Sequence, residues 1–182
     1  MQYKLLENVL PLDTCTLITA YLLKYPKLNS DFKNPNDGLV NFDHSPSYGD
    51  LPYVQVLLPI VKPILENVWN VSLVPTYSYA RILKPGSDLP KHRDRPACEY
   101  SITITLGHNY DEDFDYPIYM GGLPNYIPVG GGVTYKGCEI EHWREPLIGT
   151  PENFWAQVFL HYVDANGEYA DYAWDKRFQK DG

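Results

Sequence analysis

His92-Arg93-Asp94-Arg95-Pro96-Ala97-Cys98-Glu99-Tyr100-Ser101-Ile102-Thr103-Ile104-Thr105-Leu106 is the stretch on which the fold turns. Ser101, Thr103 and Thr105 share one parity, and Tyr100, Ile102 and Ile104 the other, which is the period of a strand with one set of side chains on each face. One set lines the inside of a β structure and the other meets an opposing layer; parity leaves open which is which. By the same logic His92 and Asp94 point the same way, about 6–7 Å apart on an extended backbone, and can converge on one ion. His142 offers a second imidazole. Two neutral imidazoles and one carboxylate on one face of an octahedral metal leave three positions open, which suits non-haem Fe(II) and oxygen activation better than a closed structural zinc site.

Outward from this stretch, the residues after Pro75 read as eight short strands at 76–84, 89–95, 99–107, 115–121, 124–129, 131–137, 138–145 and 154–164. Turn residues separate them, among them Pro85-Gly86-Ser87-Asp88 and Gly130-Gly131-Gly132, so a sandwich or barrel is expected. The glycine triplet lacks a following Lys-Ser/Thr and reads as a corner rather than a phosphate loop. Before the strands, Asp13 can cap a helix carrying Leu17, Ile18, Tyr21 and Leu22 that ends before Pro26. Asn29 to Gly49 reads as a surface loop with a solvated His44. A second helix follows Asp50, carrying Val54, Leu57, Leu58, Val61, Ile64, Leu65 and Val68, with Pro59 and Pro63 expected to kink it into two pieces. In the tail, Tyr169, Tyr172 and Trp174 are expected to dock part of the segment.

At 182 residues the chain is sized for one domain. A net charge of −8 and a pI near 5.0 argue against a nucleic-acid backbone or an anionic membrane as the main partner. Three widely spaced cysteines without a C-x-x-C indicate neither a disulfide framework nor a thiolate zinc site. With no signal-peptide pattern and no long apolar run, the sequence reads as cytoplasmic.

Tyr79-Ala80-Arg81-Ile82-Leu83-Lys84-Pro85-Gly86, His92-Arg93-Asp94, Tyr100 to Leu106, His142-Trp143-Arg144-Glu145-Pro146 and Gln157-Val158-Phe159-Leu160-His161-Tyr162 together resemble the 2-oxoglutarate- and Fe(II)-dependent dioxygenases, nearest their prolyl-hydroxylase-like branch. The likeness spans residues 75–164. It implies a mainly β domain over 1–182: helical support and loop in 1–74, a double-stranded β-helix (jelly-roll, cupin-like) of about eight strands in 75–164, and a tail in 165–182. It also implies that His92, Asp94 and His142 bind Fe(II) and carry catalysis. 2-Oxoglutarate and O2 would be cosubstrates, and a C–H bond of a peptide, amino acid or small metabolite would be hydroxylated with release of succinate and CO2.

One position departs from that pattern. Many members of the branch carry on the eighth strand the basic residue that grips the far carboxylate of 2-oxoglutarate, and here the corresponding positions are Pro151, Glu152 or Trp155. Arg144 is the expected substitute, because it shares the parity of His142 and its planar guanidinium can hold a carboxylate through two charge-assisted hydrogen bonds. Arg81 is the second candidate, with Tyr77 and Tyr79 on its parity offering hydroxyls. Tyr100 and Tyr135 are expected to line the pocket. Arg93 and Arg95 read as exposed ion-pair partners, His161 as a satisfied core histidine, His108 as exposed and Trp143 as core. Substrate choice is expected to reside in loops 29–50 and 108–126. Two other readings stand beside this one: a cupin-like metalloenzyme that does not use 2-oxoglutarate, and a noncatalytic β-barrel binding module.

Overall fold

Ile102 and Ile104 settle the parity that the sequence leaves open, since both are fully buried in one cluster with Ile18, Leu22, Leu58, Val61 and Leu65 of the helices. Ser101, Thr103 and Thr105 therefore face the other way, between two sheets. The computed structural model in which this is seen describes residues 2–28 and 47–176. Each large aliphatic side chain fully buried in the helix–sheet seam stabilises the fold by about 1.5–3 kcal/mol relative to exposure.

Strands β1 (Tyr3–Leu6), β2 (Ser47–Gly49), β3 (Leu73–Leu83), β5 (Tyr100–His108), β8 (Gly132–Tyr135) and β10 (Trp155–Asp164) form a six-stranded sheet in the order β1-β8-β5-β10-β3-β2. Strands β4 (Leu89–His92), β6 (Ile118–Met120), β7 (Leu123–Asn125) and β9 (His142–Arg144) form a second sheet in the order β4-β9-β6-β7. The strand pairs are antiparallel. The eight expected strands thus divide between the sheets: the first, third, sixth and eighth lie in the large sheet and the other four in the small one. This is the winding of a double-stranded β-helix. Strands β1 and β2 were not among the expected eight. They are too short to show a period of two, and edge pairing creates them, with Tyr3 opposite Tyr135 and Tyr48 opposite Ala80.

Helix α1 (Leu12–Leu28) packs on β5 and β3, and runs past Pro26 where it was expected to stop. A proline in the last turn removes one hydrogen bond, while Cys15, Ile18 and Leu22 already hold the helix by burial. The second expected helix is two pieces, α2 (Pro52–Gln55) and α3 (Leu57–Trp69), but the break falls at Val56 and not at a proline. Pro59 lies in the first turn of α3, where N–H groups have no intrahelical partner, so its ring is accommodated there. Asn70 ends α3 in the left-handed region at φ 53°. The Tyr162 hydroxyl, buried in β10, donates to Leu58 O at 2.9 Å and ties this helix to the sheet.

The glycine triplet is the expected corner: Gly130 has φ +81°, and a Cβ there would stand 2.7 Å from Leu10 O. Part of the tail docks, as 3-10 turns over Ala170–Lys176 that lie against β3. His44 and most of the loop assigned to 29–50 lie outside the described residues. No described helix is long and apolar enough to cross a membrane.

Candidate metal centre

His92 and His142 are register partners at the ends of β4 and β9, which sets their rings side by side with centroids 4.3 Å apart. Asp94 follows where the chain leaves the sheet, its N–H donating to Gly137 O at 2.9 Å. Asp94 Oδ1 stands 3.3 Å from His92 Nε2 and 3.5 Å from His142 Nε2. Each ring is oriented from behind, His92 Nδ1 donating to Pro90 O at 2.7 Å and His142 Nδ1 to Ile140 O at 3.1 Å. A carbonyl only accepts, so each Nδ1 carries the proton and each neutral ring aims the Nε2 lone pair at the carboxylate.

Three acceptors facing one point repel unless a cation lies among them. Ligand atoms about 2.1 Å from an octahedral ion stand about 3 Å from one another, close to the separations found. The donor set therefore fits a divalent ion such as Fe(II). Burial works against the Asp94 charge, but without an ion a ring that also takes a proton at Nε2 donates to it, and these bonds from His142 and His92 outweigh burial and hold the carboxyl well below its usual range. Burial likewise lowers the proton affinity of His92, and the bonds to Asp94 and the Pro90 carbonyl raise it by more.

The triad opens on a cavity of about 610 Å³, within the range of small-ligand pockets. Tyr77, Tyr79 and Arg81 line it from alternate positions of β3, and Tyr135 from β8. The two candidate arginines are placed differently. Arg81 is buried in the cavity wall, register partner of Gln157, which in turn faces Thr105. Arg144 is equally buried but set off from the wall, its Nη1 donating to Tyr116 O at 2.7 Å and its guanidinium 4.7 Å from the Tyr116 ring. Its Nη2 is buried without a partner. Burial, with the like charge of Arg81 adding to it, pushes Arg144 down to about 10. Two buried guanidiniums within range of each other concentrate positive charge at this end of the barrel.

Other expectations are corrected. Tyr100 faces the helices, its ring 5.6 Å from Trp69, and does not line the cavity. The parity that turns Ile102 and Ile104 to the helices turns Tyr100 with them. Pro151 and Glu152 sit in an exposed turn, and Trp155 packs with Leu83, Tyr116 and Leu147. The inward position of β10 is Gln157. His108 is half-buried and stacked on Trp155 rather than exposed. Trp143 is only partly buried, stacked on Tyr119 under Lys91. Arg95 makes the expected exposed pair, with Asp175 at 2.8 Å, and both it and Arg93 also line the cavity.

Among the polar residues of the cavity wall, the sequence reading overlooked Asp50, Cys98, His161 and Asp175. His161 was readable, since it shares the parity of Gln157 and Phe159 on β10. Its ring lies tilted against Tyr77 with centroids 4.5 Å apart, and burial pushes it down to about 4.

Fold and donor set together define a double-stranded β-helix with a two-histidine, one-carboxylate centre. The sequence matches no family model and no curated protein. Solved structures do match it. A Pseudomonas putida prolyl-4-hydroxylase superposes with a TM-score of 0.61 at 12% identity, covering 88% of this chain and 91% of that one. HygX from Streptomyces hygroscopicus, solved with nickel and 2-oxoglutarate bound, gives 0.65 at 12% identity, covering 91% and 84%. SnoN, a non-haem α-ketoglutarate-dependent epimerase from nogalamycin biosynthesis, gives 0.67 at 11% identity, covering 90% and 78%. The chain shares its fold with these enzymes.

Proposed function

We propose that this chain is an Fe(II)- and 2-oxoglutarate-dependent oxygenase that hydroxylates a C–H bond of a small molecule or peptide. The observation that carries the reading is the convergence of His92 Nε2, Asp94 Oδ1 and His142 Nε2 on one point of a cavity whose wall also holds a buried Arg81. When bound, iron and 2-oxoglutarate supply the oxidising chemistry, O2 being reduced as the keto acid becomes succinate and CO2. The chain does the rest. Its triad fixes three positions on one side and leaves the cavity side open. Arg81 holds the far carboxylate of the keto acid, with Arg144 adding positive potential from the Tyr116 side. Tyr77, Tyr79 and Phe159 wall the remaining space and exclude water from the target bond.

A second reading, a metalloenzyme of this fold that does not use 2-oxoglutarate, draws support from the neutral Gln157 at the inward position of β10. One experiment separates the two. Fe(II) and 2-oxoglutarate added anaerobically should produce a visible metal-to-ligand charge-transfer band, absent in His142→Ala, and oxygen should then release succinate. A protein that binds Fe(II) and gives neither band nor succinate is the second kind of enzyme. One that binds no divalent ion is a binding module.

A further inference from the structure

Only one oxygen of Asp94 faces the triad. The other, Oδ2, is buried without a hydrogen-bond partner. Asp94, Cys98 and His161 form a second group whose ligand atoms lie within 4.8 Å of one another, and all three line the cavity. Hydrogen bonds fix the state of the imidazole. Ser101 Oγ has a single proton and donates it to Cys98 O at 3.0 Å, so at 2.8 Å it accepts from His161 Nδ1. His161 Nε2 is then a bare lone pair. Together with an orphaned carboxylate oxygen and a polarizable thiol sulfur, it makes a group of three potential metal donors. Cys98 Sγ lies within hydrogen-bond range of the Tyr77 hydroxyl at 3.0 Å, which can turn to donate to a thiolate.

We propose that Asp94 Oδ2, Cys98 Sγ and His161 Nε2 form a second cation site, selective for thiophilic divalent ions such as Zn(II) or Co(II), with Asp94 bridging it to the triad. Selectivity follows from softness: a thiolate favours these ions, whereas the triad's nitrogen and oxygen donors also accept hard ions such as Mn(II). On binding, the thiol proton leaves to solvent and the ion takes its place. The site stands independently of the oxygenase reading, because none of its atoms except those of Asp94 belongs to the triad.

The test uses metal-free full-length protein titrated anaerobically with Co(II), followed by near-ultraviolet absorption and metal analysis. Wild type should bind two equivalents, one of them with a thiolate-to-cobalt charge-transfer band, and Mn(II)-saturated protein should still develop that band. Cys98→Ser should lose the band and one equivalent, while His142→Ala should keep the band. A wild type without the band, a band that survives Cys98→Ser, or a band lost in His142→Ala would each overturn the proposal. If circular dichroism shows Cys98→Ser to be unfolded, His161→Gln decides: loss of the band supports the site and retention overturns it.

Discussion

Arg81 on β3 and Gln157 on β10 are register partners, both buried, so the positive charge sits on the strand beside β10, level with its inward Gln157, rather than on β10 itself. Directly opposed residues of antiparallel strands have Cβ atoms about 4.5–5.5 Å apart, a displacement that the long Arg81 side chain can span. Arg81→Gln should raise the 2-oxoglutarate KM at least tenfold, since removing one partner of a buried charge-assisted pair costs about 2–5 kcal/mol. Fe(II) affinity should stay unchanged. Adding Gln157→Arg should recover part of the loss by restoring a cation to the eighth strand. An unchanged KM in Arg81→Gln would pass the role to Arg144.

Gly137 is the second point of test. It is not a ligand, but a Cβ there would collide with Cys98 O and Asp94 Oδ2. Gly137→Ala should therefore push the carboxylate off the triad and weaken divalent-metal binding at least tenfold, a loss seen by titrating Fe(II) or Mn(II). Gly121→Ala, a glycine at φ +57° with only the Ile140 side chain near, is the control for backbone strain without that collision. Equal metal affinities in both variants would remove Gly137 from the account.

The triad and the strands were legible because each rests on short-range periodicity: His92 and Asp94 two apart, Ser101 to Thr105 alternating. Ranking Arg81 against Arg144 was not legible. Both have inward parity, and only the contact of Arg144 with Tyr116, 28 residues away in sequence, takes it off the wall. Cys98 and Asp175 escaped for the same reason. Cys98 comes from a 3-10 turn with no period, and Asp175 reaches the cavity through residues 174 and 175 at φ 52°, a left-handed turn that nothing in Ala173-Trp174-Asp175 announces. Tyr100 was misplaced although its parity with Ile102 was known, because parity without a second layer does not say which side is inside.

The pair between Arg95 and Asp175 holds that left-handed turn at the cavity mouth, through bonds of 2.8 and 3.0 Å. Asp175 raises the proton affinity of Arg95, so the guanidinium remains charged at any working pH. Both side chains are substantially exposed, and such pairs contribute about 0.2–1 kcal/mol. Asp175→Asn should thus leave global stability nearly unchanged yet loosen the local turn, because the pair braces two residues at positive φ. Amide exchange in 170–176 should speed up severalfold while the melting temperature moves by no more than about 2–4 °C. A large fall in melting temperature with no local change would show the tail to be part of the global fold.

His108 provides the pH dependence. Its ring stacks on Trp155 at 4.3 Å and 5°, and burial there lowers its pKa below the usual histidine value. In the unfolded chain the imidazole takes up a proton near pH 6.5. The folded chain does so only at lower pH. Across that window the unfolded state binds more protons, so stability rises with pH and is lost as pH falls below about 6.5. His108→Phe preserves a flat ring against Trp155 and removes the titration. Other groups titrate alike in both proteins and cancel in the comparison. Between about pH 7.5 and 5.5 the wild-type melting temperature should therefore fall further than that of His108→Phe, measured on metal-free protein so that the ligand histidines do not add metal release. Equal falls would mean that the stack leaves His108 as easily protonated as it is in the unfolded chain.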